Sequence, residues 1–492
     1  AEWAGSRAGT RHGPYFRRGS GVSRFVGGEA LMTIPSFDPG AIRLPDPSAR
    51  VHMIGIGGVG VSGLARMLAG RGYVVSGSDV SESPATDALL AEGIEVAIGH
   101  DAANVVGADL VVMTAAVRAD NPEVVAATAA GVPVVKRAAL LGLLANAAEC
   151  LAVAGSHGKS TTSGMAALAL ERAGLAPSFA VGATVQELGT NARLGGGRHF
   201  VVEADEYDYS FLWLRPSVAI ITNIEHDHPD IFPDLDAVLD AFARFTAGIR
   251  PGGTLVIASD DPGCRLLLDR LGEPSRFRVV TFGAASGDWR IARQPDGTAR
   301  VTAPDGRMFV LRLAVPGGHN QLNALAVLAA SAGLGVEAVA LVPGLEAFGG
   351  VSRRFEVLLD TPGLTVINDY AHHPTEVSAT IAAARERYPG RRVLAVFQPH
   401  TYSRTVAFLD EFAGALDTAD EIVLAEIYPS RETDSLGVSS QDIAERKVWT
   451  PTMAGDPEDV AQVVATLLRP GDVVLVMGAG DIYRAADAIA NS

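Results

Sequence analysis

Cysteine, long apolar runs and excess positive charge are all scarce in this chain of 492 residues. Its two cysteines, Cys150 and Cys264, lie far apart in the sequence, which excludes a disulfide framework and a cysteine-based zinc site. No apolar run reaches the roughly 18 residues that a transmembrane helix requires, so none is expected. The formal net charge of -16 argues against nucleic acid or an anionic membrane as a partner.

The first 48 residues also lack the central apolar segment that a secretory signal requires. They carry arginines among glycine and serine residues, at positions 7, 11, 17, 18 and 24. This composition predicts a basic, flexible tail over residues 1–48. The bulk composition of the remaining chain fits a large cytoplasmic enzyme.

From Arg50 onward, segments typical of strands and helices alternate, which predicts parallel sheets with crossover helices. At about 150 residues per domain, the length suggests three domains. We place them at 49–148, 149–352 and 353–492. Short alternating runs between Pro-Asp-Gly turns predict antiparallel hairpins over 286–313. The expected fold is therefore α/β, with a Rossmann-like first domain, a central P-loop domain that carries a hairpin insertion, and a Rossmann-like third domain.

The segment Gly155-Ser-His-Gly-Lys-Ser160 stands between an apolar strand and an apolar helix. Strand, glycine loop and helix start form a cradle in which backbone N–H groups and the helix dipole face an anion. Lys159 adds a positive charge, and the Ser160 hydroxyl is placed to bind Mg²⁺. The pattern predicts ATP binding by Gly155, Ser156, His157, Gly158, Lys159, Ser160 and Thr161.

A second glycine loop, Gly55-Ile-Gly-Gly-Val-Gly60, follows the first predicted strand, and Asp79 comes at the end of the next one. Alone, this pattern indicates a nicotinamide dinucleotide site. Such a loop accepts any pyrophosphate, however, and a hydride-transfer enzyme has no use for the second cradle at Gly155. We therefore favour a UDP-sugar and keep an NAD-dependent oxidoreductase as a remote alternative. The residues predicted to bind the UDP-sugar are Gly57, Gly58, Val59, Gly60 and Asp79.

Acidic residues follow one strand of the predicted central sheet, and two histidines follow the next. Glu203, Asp205 and Glu206 come where an ATPase holds Mg²⁺. Strand alternation predicts that these three side chains cannot all face one site. His226 and His228 have the spacing of a zinc pair, but Mg²⁺ beside nucleotide phosphates is favoured by the neighbouring phosphate loop.

Seven motifs occur in the order used by the Mur ligases: GSHGKSTT (155–162), EADEYD (203–208), TNIEHDH (222–228), GGHNQLNA (317–324), FGGVSRRFE (348–356), NDYAHHPTE (368–376) and FQPHTYSRT (397–405). Over about residues 50 to 485 the chain resembles this family. The segments at 52–65 and 77–79 and the RRFE and HHPTE forms are similar to those of its alanine-adding members.

The resemblance implies an ATP-dependent ligase that joins L-alanine to the carboxylate of UDP-N-acetylmuramate through an acyl phosphate, in peptidoglycan precursor synthesis. ATP is expected between the second and third domains, together with two Mg²⁺ ions. Ser160 and Glu203 are expected to hold one ion and His228 the other. Lys159 is expected to stabilise the transferring phosphoryl group. Adenine, ribose and phosphate contacts are implied for His319, Asn320, Asn323, Arg354 and Asp369.

The alanine and acyl groups are expected near Tyr370, His372, His400 and Arg404. His372 is expected to be catalytic, and Arg404 to pair with the amino-acid carboxylate. Thr401 departs from relatives that carry a second arginine there. Asn191 and Arg193 lie between the phosphate loop and the acidic strand, and we place them against the sugar or its diphosphate.

Two further alternatives remain open. A murein peptide ligase joins a preformed peptide to the same UDP-sugar, but no long insertion follows Tyr209 to house one. A nucleotide-dependent scaffold without catalysis is disfavoured by the intact set Lys159, Glu203 and His228. Neither nucleic acid nor a membrane is expected as a partner, and the protein is expected to be a monomer or a weak homodimer.

Overall fold

The computed structural model describes residues 42–114, 116–446 and 451–492. Most of the predicted tail, residues 1–41, lies outside the described residues. The described chain forms three successive α/β units, each built on its own sheet of mostly parallel strands. The predicted fold class is confirmed. In the described part of the chain, no helix combines the length and apolar character needed to cross a bilayer.

The first unit has a five-stranded, fully parallel sheet in the order β3-β2-β1-β4-β5. This order reverses direction at β1, so the loop after β1 lies at the switch point where open α/β sheets bind ligands. Its elements are β1 (Arg50–Ile54), α1 (Val59–Gly70), β2 (Val74–Asp79), α2 (Pro84–Ala91), β3 (Glu95–Ile98), β4 (Leu110–Met113), α3 (Pro122–Ala129), β5 (Val134–Lys136) and α4 (Arg137–Asn146).

The central unit has a ten-stranded sheet in the order β15-β14-β13-β12-β11-β10-β6-β9-β7-β8. Its elements are β6 (Glu149–Ala154), α5 (Lys159–Arg172), β7 (Ser178–Val185), β8 (Thr190–Arg193), β9 (His199–Glu203), β10 (Val218–Ile221), α6 (Leu235–Ala247), β11 (Thr254–Ala258), α7 (Pro262–Leu271), β12 (Arg278–Gly283), β13 (Trp289–Arg293), β14 (Ala299–Thr302), β15 (Met308–Leu311), α8 (Gly318–Ala330) and α9 (Ala338–Glu346). Strands β13 to β15 pair antiparallel, as the Pro-Asp-Gly turns predict. An antiparallel β7–β8 pair at the other edge was not predicted.

The third unit has a six-stranded sheet in the order β16-β17-β21-β18-β19-β20, in which only β16 runs antiparallel. Its elements are β16 (Glu356–Asp360), β17 (Leu364–Asp369), α10 (Pro374–Arg387), β18 (Val393–Phe397), α11 (Tyr402–Ala407), α12 (Leu409–Leu416), β19 (Glu421–Leu424), α13 (Ser440–Ala444), β20 (Thr452–Met453), α14 (Pro457–Leu467), β21 (Asp472–Met477) and α15 (Tyr483–Ala490).

The strands in the middle of the central sheet form its buried core. Strands β6, β10 and β11 are almost wholly buried, since helices cover both faces of the sheet. Helix α5 is apolar and buried nearly all round, and it packs against α8 and α9. Its Gly164 leaves no room for a side chain, because a Cβ there would lie 2.9 Å from Val351 Cγ1. Helix α5 begins at Lys159, directly after Gly158, which adopts a left-handed φ of 80° as the residue that precedes the helix.

A buried carboxylate fixes helix α3 to the first sheet. Glu123 is fully buried, accepts hydrogen bonds from Ser78 Oγ at 2.7 Å and Asn104 Nδ2 at 2.6 Å, and lies 3.1 Å from His100 Nδ1. Burial would raise the pKa of Glu123, but His52, Asn104 and Ser78 outweigh it and lower the pKa to about 2. The carboxylate therefore stabilises the fold above its ordinary pKa of 4.5, and this stabilisation is lost as the pH falls towards 2.

We expect Glu123→Gln to lower the free energy of unfolding by about 1–3 kcal/mol at neutral pH, because the amide NH₂ would face a buried donor. The difference in melting temperature from the wild type should shrink as the pH falls from about 4.5 towards 2, because the carboxylate of the unfolded chain takes up its proton there before that of the folded protein. Circular-dichroism melts at several pH values measure both effects. The matched control is Glu95→Gln on β3, whose side chain is 73% exposed. Equal melting temperatures for Glu123→Gln and the wild type at pH 7 would contradict the assignment.

Candidate active site

The phosphate loop follows β6, and two of its glycines adopt backbone conformations with positive φ that other residues rarely adopt. Gly155 has a φ of 137°, and a Cβ there would overlap the Thr222 hydroxyl. Gly158 provides no capping side chain. The N–H groups of Lys159, Ser160 and Thr161 therefore emerge from the start of α5 with no acceptor within the helix. Backbone donors and the positive helix end face the same point, which suits an anion.

Lys159 lies at the centre of an acidic cluster. Its Nζ donates to the carbonyl oxygens of Gly155 at 2.7 Å and Ser156 at 3.1 Å, and to Glu206 Oε1 at 2.9 Å. Glu203 and Asp205 also act on its charge. Glu203 and Asp205 line the cavity that Lys159 also lines, whereas Glu206 is buried and does not line it. This agrees with the prediction that the three carboxylates cannot all face one site. Strand alternation is not the reason for Asp205 and Glu206, because β9 ends at Glu203.

Burial and the neighbouring charges together set the protonation of Lys159 and of the three carboxylates. Burial raises the pKa of Glu203, and burial together with Glu206 raises the pKa of Asp205. Burial would also raise the pKa of Glu206, but Lys159 and His228 outweigh it and lower the pKa. Burial would lower the pKa of Lys159, but Glu206 and Asp205 outweigh it and raise the pKa. The Lys159 ammonium is therefore charged at neutral pH.

Glu203 is oriented from two sides. The Ser160 hydroxyl donates to its Oε1 at 3.1 Å, and the Gly182 N–H donates to its Oε2 at 2.6 Å. The structure therefore brings together the two oxygen ligands predicted for a cation. Ser160 and Glu203 both belong to the central unit, so their positions relative to each other do not depend on how the other units are docked.

The two histidines after β10 turn to different surroundings. His226 Nε2 bonds to the Phe232 carbonyl at 2.9 Å, whereas His228 Nε2 lies 3.7 Å from Glu206 Oε1. Among the described residues they do not form a zinc site together. Burial would lower the pKa of His228, but Asp227 and Glu206 outweigh it and raise the pKa.

Arg404 and Asp227 form a buried ion pair between the third unit and the central one. Arg404 Nη2 and Nε donate to Asp227 Oδ1 at 2.7 and 2.9 Å, and Nη1 lies 3.2 Å from His400 Nδ1. Burial would raise the pKa of Asp227, but the guanidinium outweighs it and holds the pKa well below its ordinary value. The predicted partner of Arg404 was an amino-acid carboxylate. In the structure a carboxylate of the protein has this position, a partnership that sequence reasoning missed.

Two cavities meet at the phosphate loop. The first has a volume of about 400 Å³ and lies between the central and third units. The predicted nucleotide contacts that line it are His157, Gly158, Ser160, Thr161, His319, Asn320, Asn323, Arg354 and Asp369. The other predicted residues of the loop, Gly155, Ser156 and Lys159, do not line it.

The second cavity has a volume of about 650 Å³, and residues of all three units line it. Val59 comes from the first unit, at the start of α1. The other predicted site residues in its wall are Ser156, Gly158, Lys159, Ser160, Glu203, His228, Arg354, Tyr370, His372, His400 and Arg404. Gly158 and Ser160 line both cavities, so the phosphate loop forms the boundary between them.

The third unit contributes two histidines, His372 and His400, to the wall of this second cavity. His372 Nδ1 lies 2.8 Å from the Tyr370 carbonyl oxygen, to which it donates, so that Nε2 is the acceptor in the neutral ring. Burial lowers the pKa of His372 although Glu376 opposes it. Burial, with His372 and Arg404, lowers the pKa of His400 to about 3. Both rings are therefore neutral at pH 7.

Glu376 lines both cavities and contacts charged or polar groups in each of them. The sequence analysis gave it no role. Its Oε1 accepts from Arg354 Nη1 at 3.0 Å and lies 3.4 Å from His157 Nδ1, and its Oε2 accepts from the His372 N–H at 3.0 Å. Burial would raise the pKa of Glu376, but His372 and Arg354 outweigh it and hold the pKa well below its ordinary value. The signal that could have found it is its place in the NDYAHHPTE motif.

The glycine loop of the first unit is tied to its predicted acid, since Asp79 Oδ2 accepts from the Gly57 N–H at 2.8 Å. Sequence reasoning missed Arg137, the first residue of α4. Its Nη1 lies 3.0 Å from the point where a Cβ on Gly60 would stand. This places a cation beside the loop.

The two residues placed against the sugar both have protein partners. Asn191 Nδ2 donates to the carbonyl oxygens of Val59 at 3.1 Å and Val181 at 3.4 Å. Arg193 Nη2 donates to Glu171 Oε2 at 2.5 Å. These bonds give both residues a structural role, and their contacts with the sugar stay a prediction. The side chains tie β8 to α1 and α5.

Fold and site together define a class: a three-domain α/β protein with a P-loop in its central unit and two further α/β units around it. Three family models match in succession, the Mur ligase catalytic domain over residues 50–149, the Mur ligase middle domain over 153–331 and the Mur ligase glutamate ligase domain over 353–480. The chain belongs to the Mur ligase family, whose members are ATP-dependent ligases.

Individual relatives agree with the family models. A UDP-N-acetylmuramate–L-alanine ligase of Mycolicibacterium vanbaalenii is 44% identical over 467 residues, which cover 92% of this chain and 97% of that protein. Its counterpart in Mycobacterium tuberculosis is 45% identical over 466 residues, covering 89% and 94%. The crystal structure of a UDP-N-acetylmuramate–alanine ligase from Thermotoga maritima matches with a TM-score of 0.75 and 31% identity, covering 90% of this chain and 98% of that one.

We expect Asp227→Asn to destabilise the contact between the central and third units, because it leaves Arg404 buried without a counter-charge. Removing one partner of a buried ion pair typically costs about 3–5 kcal/mol. Thermal melts and the rate of proteolysis near residues 350–356 measure the effect. The matched control, Asp230→Asn, changes an exposed acid of the same loop and should behave as the wild type. If both variants melt and digest like the wild type, the ion pair does not hold the units together.

Proposed function

We propose that the protein joins L-alanine to the carboxylate of UDP-N-acetylmuramate, driven by hydrolysis of ATP to ADP and phosphate, in peptidoglycan precursor synthesis. The observation that carries the proposal is the pair of cavities divided by the phosphate loop. One is positioned for ATP, and the other meets all three units. The names of the relatives support the choice of alanine and of the UDP-sugar.

ATP would occupy the cavity between the central and third units. His319, Asn320 and Asn323 on α8 would contact the adenine, with Arg354 and Asp369 on the ribose or phosphates. The triphosphate would run over the start of α5, so that its γ-phosphoryl group emerges beside Lys159 in the second cavity. This arrangement brings donor and acceptor together at the boundary between the cavities.

The muramate carboxylate would attack the γ-phosphorus, breaking the bond to the β-phosphate oxygen and releasing ADP. Lys159 would stabilise the negative charge of the transferring group, which is the main requirement of phosphoryl transfer. The neutral amine of alanine would then attack the acyl carbon, and inorganic phosphate would leave as the amide forms. The buried cavity would limit the access of water to the acyl phosphate.

The residues present fit Mg²⁺, which the family chemistry implies. A serine hydroxyl and a carboxylate 3.1 Å apart, beside the helix start, are the oxygen ligands that Mg²⁺ prefers near phosphates. We propose Ser160 and Glu203 for one ion and His228 for a second. When bound, Mg²⁺ would neutralise part of the charge between the anionic reactants.

The alanine would lie against Tyr370, His372, His400 and Arg404. His372 Nε2 is a neutral acceptor that would receive a proton from the incoming ammonium group. The pKa of His400, about 3, makes that ring a hydrogen-bond acceptor rather than a base. Asp227 holds Arg404 with its Nη1 towards His400, so the alanine carboxylate would share the guanidinium with a protein acid. Asp227 is thereby proposed as a positioning residue.

The UDP moiety would bind at the first unit, at the switch point of its sheet. Val59 and Gly60, at the start of α1, would offer backbone donors to the diphosphate. The N–H groups of Gly57 and Gly58 bond to Asp79 Oδ2 and to the Gly55 carbonyl oxygen and hold the loop in shape beside it. Arg137 would supply the positive charge that the glycine loop itself lacks. A ligase with these substrates would act in the cytoplasm, where its nucleotides are made.

The direct test is release of inorganic phosphate from ATP with UDP-N-acetylmuramate and each of L-alanine, glycine, L-serine and a tripeptide. We expect turnover with L-alanine and little with the tripeptide. Preference for the tripeptide would indicate a murein peptide ligase. No phosphate release with any acceptor would reject the proposal, and tight binding of NAD would favour an oxidoreductase.

Replacing Lys159 by alanine should reduce kcat at least ~10²-fold, the typical effect of removing one charge contact made in the transition state. Phosphate release at saturating substrates measures it, with circular dichroism as a check on folding. Lys136→Ala is the matched control, because that side chain is 47% exposed and lies outside both cavities. Near-normal turnover of Lys159→Ala would remove Lys159 from the mechanism.

Arg137→Gln should raise KM for UDP-N-acetylmuramate by about 10- to 100-fold with little change in kcat, because a charge-assisted hydrogen bond contributes about 1.5–3 kcal/mol. Steady-state kinetics with ATP and alanine saturating give both constants. Arg71→Gln, at the opposite end of α1, is the control and should match the wild type. An unchanged KM in Arg137→Gln would show that the diphosphate lies elsewhere.

A further inference from the structure

A second group of ligand-type side chains lies away from Ser160 and Glu203. His157 belongs to the phosphate loop, Glu225 follows β10, and His373 precedes α10 of the third unit. Their nitrogen and oxygen atoms lie within 4.8 Å of one another. Within residues 42–114, 116–446 and 451–492, no other three His, Cys, Asp or Glu side chains meet in this way.

The distances have the scale of a tetrahedral metal site. Glu225 Oε2 lies 3.1 Å from His157 Nε2 and 3.6 Å from His373 Nδ1. Zinc bonds of about 2.0–2.1 Å at tetrahedral angles place neighbouring ligand atoms roughly 3.3 Å apart. The two imidazole rings lie side by side, with centroids 4.6 Å apart. Small movements would therefore bring all three atoms onto one ion.

The surroundings also resemble those of a metal site. The Thr375 hydroxyl donates to Glu225 Oε2 at 2.7 Å, which orients the carboxylate. The second nitrogen of His157 lies 3.4 Å from Glu376 Oε1, as in the pairs of carboxylate and histidine that fix a ligating imidazole. His373 is 5% exposed, and its Nδ1 has only a weak 3.4 Å contact with the Thr375 N–H. A metal ion would take this lone pair in place of the Thr375 N–H, which it caps weakly at the start of α10.

We propose that His157, Glu225 and His373 bind one divalent cation of the zinc class and so bridge the central and third units. Two imidazoles and one carboxylate suit Zn²⁺, Co²⁺ or Ni²⁺ better than Mg²⁺, which prefers oxygen ligands. Three protein ligands leave a fourth position for water or a phosphate oxygen. Two of the three proposed ligands, His157 and Glu225, also line the 400 Å³ cavity.

A cation bound by these three residues would inhibit the proposed ligase reaction. Its ligands come from both units, so it would bind the docked arrangement more tightly than a separated one and shift the population towards docking. It would also hold His157 and thereby restrain the phosphate loop. Zinc is therefore expected to inhibit the ligase while stabilising the protein, a property beyond the proposed reaction.

The test is a titration of the full chain with Co²⁺ in excess Mg²⁺, without nucleotide. The Mg²⁺ occupies oxygen-rich sites, and tetrahedral cobalt absorbs visible light far more strongly than octahedral cobalt. We expect intense d–d bands that saturate at one Co²⁺ per chain and disappear when one equivalent of Zn²⁺ is added. Absence of these bands in the wild type would overturn the proposal. This readout does not depend on activity, so it can succeed or fail separately from the proposed function.

Two variants assign the bands to the site. His373→Asn removes the imidazole but keeps a side-chain acceptor for the Thr375 N–H at the start of α10, and it should abolish them. His226→Gln is the matched control, since its amide can still donate to the Phe232 carbonyl, and it should retain them. Retention of the bands in His373→Asn, or their loss in His226→Gln, would contradict the assignment.

X-ray absorption of the zinc-loaded wild type makes the test independent of any variant. Two imidazoles and two oxygens around the ion are expected, and fewer than two imidazoles would overturn the proposal. If the protein is active, zinc at saturation should also lower phosphate release at least tenfold in the wild type and far less in His373→Asn. Equal inhibition of the two proteins would show that the inhibitory ion binds elsewhere.

Discussion

The buried ammonium of Lys159 is the interaction on which the active-site edge of the central sheet depends. Three carboxylates, the last residue of β9 and two that come just after it, lie where burial alone would raise the pKa of each. Lys159 offsets their charge and binds two carbonyl oxygens of its own loop. The same contacts therefore fix the phosphate loop, the acidic loop and the environment of His228. A neutral residue at this position would leave several buried acids without compensation at once.

Charge also joins the units to one another. Arg404 of the third unit pairs with Asp227, and Glu376 of the same unit contacts His157 in the phosphate loop. Both contacts lie at the carboxyl edge of the central sheet, where the proposed reactants would bind. Docking of the third unit and the shape of the nucleotide cavity are therefore not independent, because the same side chains take part in both. Ligands that bind only the docked arrangement would stabilise it by mass action.

Much of the fold and part of the candidate site could be predicted because their signals are local. Alternating apolar strands and helices define the three parallel sheets, and the glycine loop with Lys159 and Ser160 occupies one short segment. Parallel strands also bring loops that are distant in sequence to one edge, so Glu203 and His228 could be placed near the loop. The alternation of a strand could not place Asp205 and Glu206 individually, because both residues follow the end of β9.

What could not be predicted are pairings set by the docking of whole units. Arg404 and Asp227 are 177 residues apart, and no local pattern relates them. Arg137 faces the glycine loop only because folding brings the start of α4 next to Gly60. Asn191 and Arg193 look like free polar groups in the sequence, but folding gives both of them protein partners. Such contacts depend on tertiary geometry, which composition and spacing do not contain.

The close approach of Gly164 to Val351 has a mechanical consequence. Helix α5 carries the phosphate loop at one end, and Val351 lies at the junction that leads into the third unit. Because Gly164 has no side chain, no flexible group lies between the backbone of α5 and Val351 that could move to accommodate a displacement of the junction. A displacement of the chain at Val351 must therefore move helix α5 as a whole or break the contact between Val351 and Gly164. Gly164 thereby determines how strongly a movement at the junction is transmitted to the phosphate loop.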